Sequence, residues 1–76
     1  MPAPIQGRDD TLPSAFKRLT AREVRTLRRL LGLSQQRFGD LLFVSRQTVW
    51  RWETGQMIPS LASTVTMRRL AAVLKE

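Results

Sequence analysis

Seventy-six residues make one small domain at most. A chain this short buries only about 60% of its unfolded surface, so tight helix packing or oligomerisation has to supply its stability. Thirteen Lys and Arg against six Asp and Glu leave a net charge of +7, eleven of the thirteen cations being arginine, which points to a polyanionic partner. With no cysteine and no histidine, disulfides, Cys/His zinc sites and histidine acid–base catalysis are excluded, so neither enzyme activity, cofactor nor metal is expected.

The imbalance is concentrated. Lys17 to Arg51 holds nine cations and two acids, Glu23 and Asp40. A membrane surface would attract such a segment, but it carries separate periodic patterns instead of one long amphipathic helix. No apolar run approaches the about 20 residues of a bilayer span, and the N-terminus lacks the basic-then-apolar order of a signal peptide. A cytoplasmic, nucleoid-associated protein with no membrane partner is the expectation.

Residues 1–18 are expected to form a flexible N-terminal arm and residues 19–76 the folded domain. Pro2, Pro4, Pro13, Gly7, Asp9 and Asp10 accompany little that can be buried before Ser14. Ser14 to Arg18 has the spacing for one helical turn, with Phe16 and Leu19 on one side, and reads equally well as linker. At Thr20 a capping box begins: the Thr20 hydroxyl and the Glu23 carboxylate can each satisfy the other's free backbone N–H. The first helix is predicted over Ala21 to Leu31, with Val24, Leu27 and Leu31 inward and Gly32 as its left-handed stop.

Ser34 caps a predicted second helix from Gln35, with Phe38, Leu41 and Leu42 as its inward stripe. Ser45 caps a third from Arg46, which Gly55 ends and in which Val49, Trp52 and Glu53 fall at i, i+3 and i+4. After a loop over Thr54 to Pro59, Ser60 or Ser63 caps a last helix reaching Leu74, with Val65, Leu70, Val73 and Leu74 as its apolar contacts. The fold class is all-α.

Two short helices joined by a tight turn are stable only when their inner faces interlock, and the spacing from Gln35 suits a helix-turn-helix. Phe38, Leu42, Val44, Val49 and Trp52 take the buried positions, and Gly39 sits where a large side chain would hold the third helix off the second. If Val49, Trp52 and Glu53 face the core, the 3.6-residue period turns Arg46, Gln47, Trp50, Arg51 and Thr54 outward. Arginine can bond both acceptors of a guanine and glutamine the acceptor and donor of an adenine, so Arg46, Gln47 and Arg51 suit base edges, with Thr48 adding a methyl or hydroxyl contact. Trp50 is a large aromatic to leave in water, and suits a thymine methyl, a sugar or another subunit. The alternative for this face is an ordinary solvated helix surface.

Gly32-Leu33-Ser34-Gln35-Gln36, Leu41-Leu42, Val44-Ser45-Arg46-Gln47-Thr48-Val49, Trp52-Glu53, Gly55 and Pro59-Ser60 resemble the phage-repressor and Cro (XRE-type) DNA-binding family over Leu19 to Leu74. The resemblance implies a compact, four- to five-helix, lambda-repressor-like domain acting as a DNA-binding regulator. The Pro-Ser opening of the last helix and the Leu-Thr capping box look most like the antitoxin branch, whose members repress their own operons. The implied partners are a palindromic double-stranded operator, a second copy in a homodimer, and, as the alternative, a toxin held by the N-terminal arm. Gln35, at a helix N-terminus that favours anions, is assigned by the resemblance to a phosphate or to bracing Arg46. Gln36, Arg37 and Gln56 are further phosphate candidates, and Ser45 is both cap and phosphate donor. The resemblance also pairs Arg28 with Glu53 as a structural ion pair, leaving Arg22, Arg25 and Arg29 as solvated surface.

One position departs from the family. Its members commonly carry glycine at the first turn residue, where this chain has Phe43, which costs about 1 kcal/mol if held left-handed. The expectation is that the ring covers local apolar surface; the alternative is a contact to a partner or to the phosphate side.

Overall fold

The computed structural model describes residues 18–74. The expected arm over 1–18 and its helical turn lie outside the described residues, except for Arg18. Four helices follow in order: α1 Ala21–Leu30, α2 Gln35–Leu42, α3 Arg46–Glu53 and α4 Leu61–Leu74. Among the described residues there is no strand, and no helix is long and apolar enough to cross a membrane.

Each helix begins where a hydroxyl can occupy a free N–H. Thr20 and Glu23 form the reciprocal capping box, Thr20 N donating to Glu23 Oε1 at 2.9 Å and Glu23 N to Thr20 Oγ1 at 3.2 Å. Ser34 accepts from Arg37 N, Ser45 from Thr48 N, and Ser60, not Ser63, from the backbone of α4 at Ser63 N.

The first three helices close in one way. Gly32 N and Leu33 N donate back to Arg29 O and Arg28 O, Phe43 N and Val44 N to Asp40 O and Gly39 O, and Gly55 N and Gln56 N to Trp52 O and Arg51 O. This is the paired closure that requires a left-handed residue just past the helix. Gly32 at φ 70° and Gly55 at φ 80° take it at little cost, whereas Phe43 takes it at φ 60° with a Cβ in the way. The turn does not change to suit the phenylalanine, and its ring covers nothing: Phe43 is 96% exposed. The expected local packing role is therefore wrong.

The core is one cluster of Leu19, Val24, Leu27, Phe38, Leu42, Val49, Trp52 and Met67, with Leu31, Leu33, Val44, Leu70 and Ala71 partly buried against it. α2 packs chiefly on α3, and α1 lies against both α3 and α4. Two of the expected inward stripes need correction. Leu41 is exposed, because α2 is only two turns long and its inward arc is filled by Phe38, Gly39 and Leu42. On α4, Val73 and Leu74 face outward, and the buried positions are Ser63, Thr64 and Met67. Ser63, Thr64 and Met67 share the inward arc at i, i+1 and i+4, with Leu70 and Ala71 partly buried beside them, which turns Val73 and Leu74 to the outside.

Gly39 is buried, but its neighbour is not α3 itself. A Cβ there would stand 2.6 Å from Val44 O and 3.2 Å from the Ser45 carbonyl carbon and oxygen. The glycine admits the backbone of the turn, and through the turn it sets where α3 begins.

Candidate functional site

α3 presents two faces. Val49, Trp52 and Glu53 are buried, and the rest of the helix faces water: Arg46 and Gln47 are exposed, Trp50 is exposed at its outer edge, and Thr48 and Arg51 are half-buried. Thr54, just past the helix, is exposed and its hydroxyl donates to Trp50 O at 2.9 Å. Gln35, Arg46, Gln47 and Trp50 line one polar cleft of about 480 Å³, which joins the start of α2 to the start of α3.

The rear of α3 is held by a carboxylate. Glu53 is 5% exposed and is reached from two helices. Arg28 Nε donates to Oε2 at 2.6 Å and Arg28 Nη2 to Oε1 at 3.1 Å, the fork-to-fork geometry that guanidinium and carboxylate share. Gln35 Nε2 donates to Oε1 at 3.3 Å. Arg28 Nη1 also donates to Leu33 O at 3.0 Å, tying the α1–α2 turn to the same group. Burial pushes the Glu53 carboxyl up, but the hydrogen bonds from Arg28 and Gln35 and the charges of Arg28 and Arg25 outweigh it and hold the group below the usual carboxylate range. The hydrogen bond to Glu53 holds Arg28 above its ordinary value, against the opposing effect of burial.

Arg25 is not the free surface cation expected of it. Its Nη2 donates to Glu53 O at 3.0 Å, where the last carbonyls of α3 lack helical partners, and its Nε lies 3.7 Å from Glu53 Oε1. The signal was present in the spacing, since Arg25 and Arg28 are i and i+3 on one helix and so share a face.

The geometry of two short helices, a turn closed by left-handed Phe43 and a half-wet α3 matches what comparison with known families finds. The family model of a helix-turn-helix domain matches residues 20–75. The chain belongs to the helix-turn-helix family. No curated protein and no solved structure matches.

In this helix-turn-helix unit the candidate phosphate residues fall at the two N-termini and the loop beyond. Gln36 and Arg37 are exposed on α2, and Gln36 Nε2 donates to Asp40 Oδ1 at 3.0 Å. Ser45 Oγ accepts from Thr48 N at 3.1 Å and lies 2.9 Å from Thr48 Oγ1, so the hydroxyl is engaged as a cap and the two side chains share a hydrogen bond. Gln56 is exposed, its backbone closing α3 on Arg51 O. Gln35 lies at the first position of α2 and gives one amide N–H to Glu53, which leaves its second N–H to donate and its amide oxygen to accept.

Proposed function

We propose that the chain is a sequence-specific transcriptional regulator that lays α3 in the major groove. The observation that carries this reading is the division of α3 into a buried rear of Val49, Trp52 and Glu53 and a front of exposed Arg46, Gln47 and Trp50 with half-buried Arg51 beside them. Arg46 and Arg51 suit guanine, Gln47 suits adenine, and Thr48 and Trp50 offer methyl and apolar contacts to a neighbouring thymine or sugar. Gln35, Gln36, Arg37, Ser45 and Gln56 flank this front on the side where phosphates would run, and phosphate contacts fix register without reading sequence. Membership of the helix-turn-helix family supports the same placement.

One such unit covers about half a turn of groove, so the operator is a palindrome with half-sites about 34 Å apart, read by a homodimer. Occupying it acts as a repressor, in the cytoplasm and on the nucleoid. Selection from a randomised duplex library tests this reading. An enriched palindrome is expected, with a steep fall of affinity as salt rises. The Arg46→Ala, Arg51→Ala double variant should lose the preference while melting like the parent. A library that yields no enriched sequence, or the same enrichment with the double variant, refutes it.

The second reading is an antitoxin-like module that binds a protein partner, and one observation favours it: Phe43 is held in a costly conformation while almost wholly in water. A phenylalanine so placed suits a partner surface.

A further inference from the structure

A second concavity lies away from the reading cleft. Between α1 and α4 runs a groove of about 480 Å³. Leu19, just ahead of α1, stands at one end, and Leu30 and Leu74, at the ends of α1 and α4, stand at the other. That far end is not sealed: Leu30 is 68% exposed and Leu74 45%, and Val73 beside them is 66% exposed. The rim holds Arg22 and Arg68 against one acid, Glu23, which is engaged within its own chain, accepting from Thr20 N and lying 3.9 Å from Arg68 Nη1.

We propose that residues 9–16 of the same chain fold back over this groove, with Leu12 and Phe16 covering Leu30 and Leu74. Charge selects the occupant. A net basic rim suits a segment that brings carboxylates beside its apolar side chains, and among the described residues every carboxylate is already engaged: Glu23 as above, Asp40 by Gln36 Nε2 and Glu53 by Arg28. Residues 9–16 hold Asp9 and Asp10 and no base, which makes them the most acidic stretch of that length in a chain of net charge +7. They also hold Leu12 and Phe16, the apolar cover that exposed leucines call for. Reach agrees with charge. α1 rises about 14 Å from Ala21 to Leu30, whereas the seven residues from Leu12 to Leu19 span about 23 Å when extended, so the segment covers the groove without being stretched. Asp9 and Asp10 then come within reach of Arg68, which lies about 9 Å back along α4 from Leu74. Because Leu19 is itself part of the groove, the tether holds the segment at an effective concentration of millimolar order, which a free partner has to exceed. The groove and the reading cleft share no lining residue, so the docked segment leaves Arg46, Gln47 and Trp50 in water whether or not α3 reads DNA.

Proton NOE spectra of the isotope-labelled full chain, recorded without DNA, test the assignment. The Leu12 methyls and the Phe16 ring should show contacts to the Leu30 and Leu74 methyls that do not weaken on dilution. The Leu12→Ser, Phe16→Ser double variant should abolish these contacts and speed amide exchange over Leu70 to Leu74 by about 10-fold, while the signals of core Val24 and Met67 stay in place. Leu30→Ser, at an exposed position, repeats the test from the other side of the contact. Groove methyls that meet nothing from residues 9–16, or unchanged exchange in the double variant, overturn the assignment. Contacts from Phe16 to Met57 and Ile58 in place of the leucines overturn it too, since they would seat the segment in the hollow beside Trp52 and Pro59. Contacts seen only between differently labelled chains in a mixed sample overturn it in favour of another copy's segment. All these readouts are taken in the absence of DNA, so they stand apart from success or failure in selecting an operator.

Discussion

Gly39 and Val44 meet backbone to backbone: the Val44 amide donates to the Gly39 carbonyl at 2.9 Å, and a Cβ on Gly39 would lie 2.6 Å from the Val44 carbonyl oxygen. The obstacle is main chain that is already pinned by a hydrogen bond, so no flexible side chain can swing aside. Gly39→Ala gains about 1 kcal/mol in helix propensity but has to shift the turn that aims α3. The expected net effect is a loss of about 1–3 kcal/mol, read from urea unfolding. A variant as stable as the parent would show that the turn moves freely.

Phe43→Gly should act in the opposite sense. It removes the left-handed penalty of a residue at φ 60° and forfeits almost no packing, the ring being 96% exposed. Set against the extra freedom glycine gives the unfolded chain, the gain should be about 0.5–1 kcal/mol. A fall in the unfolding midpoint would mean that the ring does pack on something in solution.

Replacing one partner of the Arg28–Glu53 pair takes the two-bond ionic contact from a desolvated group and leaves it only its weaker partners, Gln35 and Arg25 for Glu53 and Leu33 O for Arg28. Arg28→Ala or Glu53→Ala should therefore cost about 2–4 kcal/mol, toward the lower end of what a broken buried pair costs, and the Glu53 change should also free Gln35 from its anchor. Replacing both by apolar residues of similar volume should restore much of the loss. A double variant no better than either single one would show that the charges themselves hold α3 in place.

The same carboxylate should register in acid. Glu53 titrates below the usual carboxylate range in the folded protein, so it stabilises the fold above its unfolded value, about 4.3, and that contribution disappears as the pH falls through the lower folded value. Urea midpoints taken from about pH 6 down to about pH 2 should fall more steeply for the parent than for Glu53→Gln, and the two curves should converge at the acid end. Parallel curves would assign the acid sensitivity to other groups.

Much of this fold was legible because its punctuation is local. Thr20, Ser34 and Ser45 mark helix starts through hydrogen bonds made within three residues, and Gly32 and Gly55 mark ends through backbone conformation alone, so each could be read without knowledge of the fold, whereas two serines competed for the start of α4 and only the structure selects Ser60. The wet front of α3 followed from the helical period once Val49 and Trp52 were placed inside. α4 was misread because its inward face is Ser63, Thr64 and Met67; two hydroxyl residues on the buried arc give no hydrophobic signal along the chain. Arg25 is exposed, as expected of it, and shares a face with Arg28 by its i, i+3 spacing, but its acceptor lies 28 residues away and could not be named from that spacing alone. Nothing in the residues around Phe43 indicated that its ring would be left bare.

The grip on Glu53 separates two jobs that share one short helix. Arg25, Arg28 and Gln35 approach α3 from behind, and the exposed Arg46 and Gln47 carry none of that load. Rewriting the front letters of α3 should therefore yield a set of proteins with one scaffold and different tastes, in which divergence of target runs ahead of divergence in architecture.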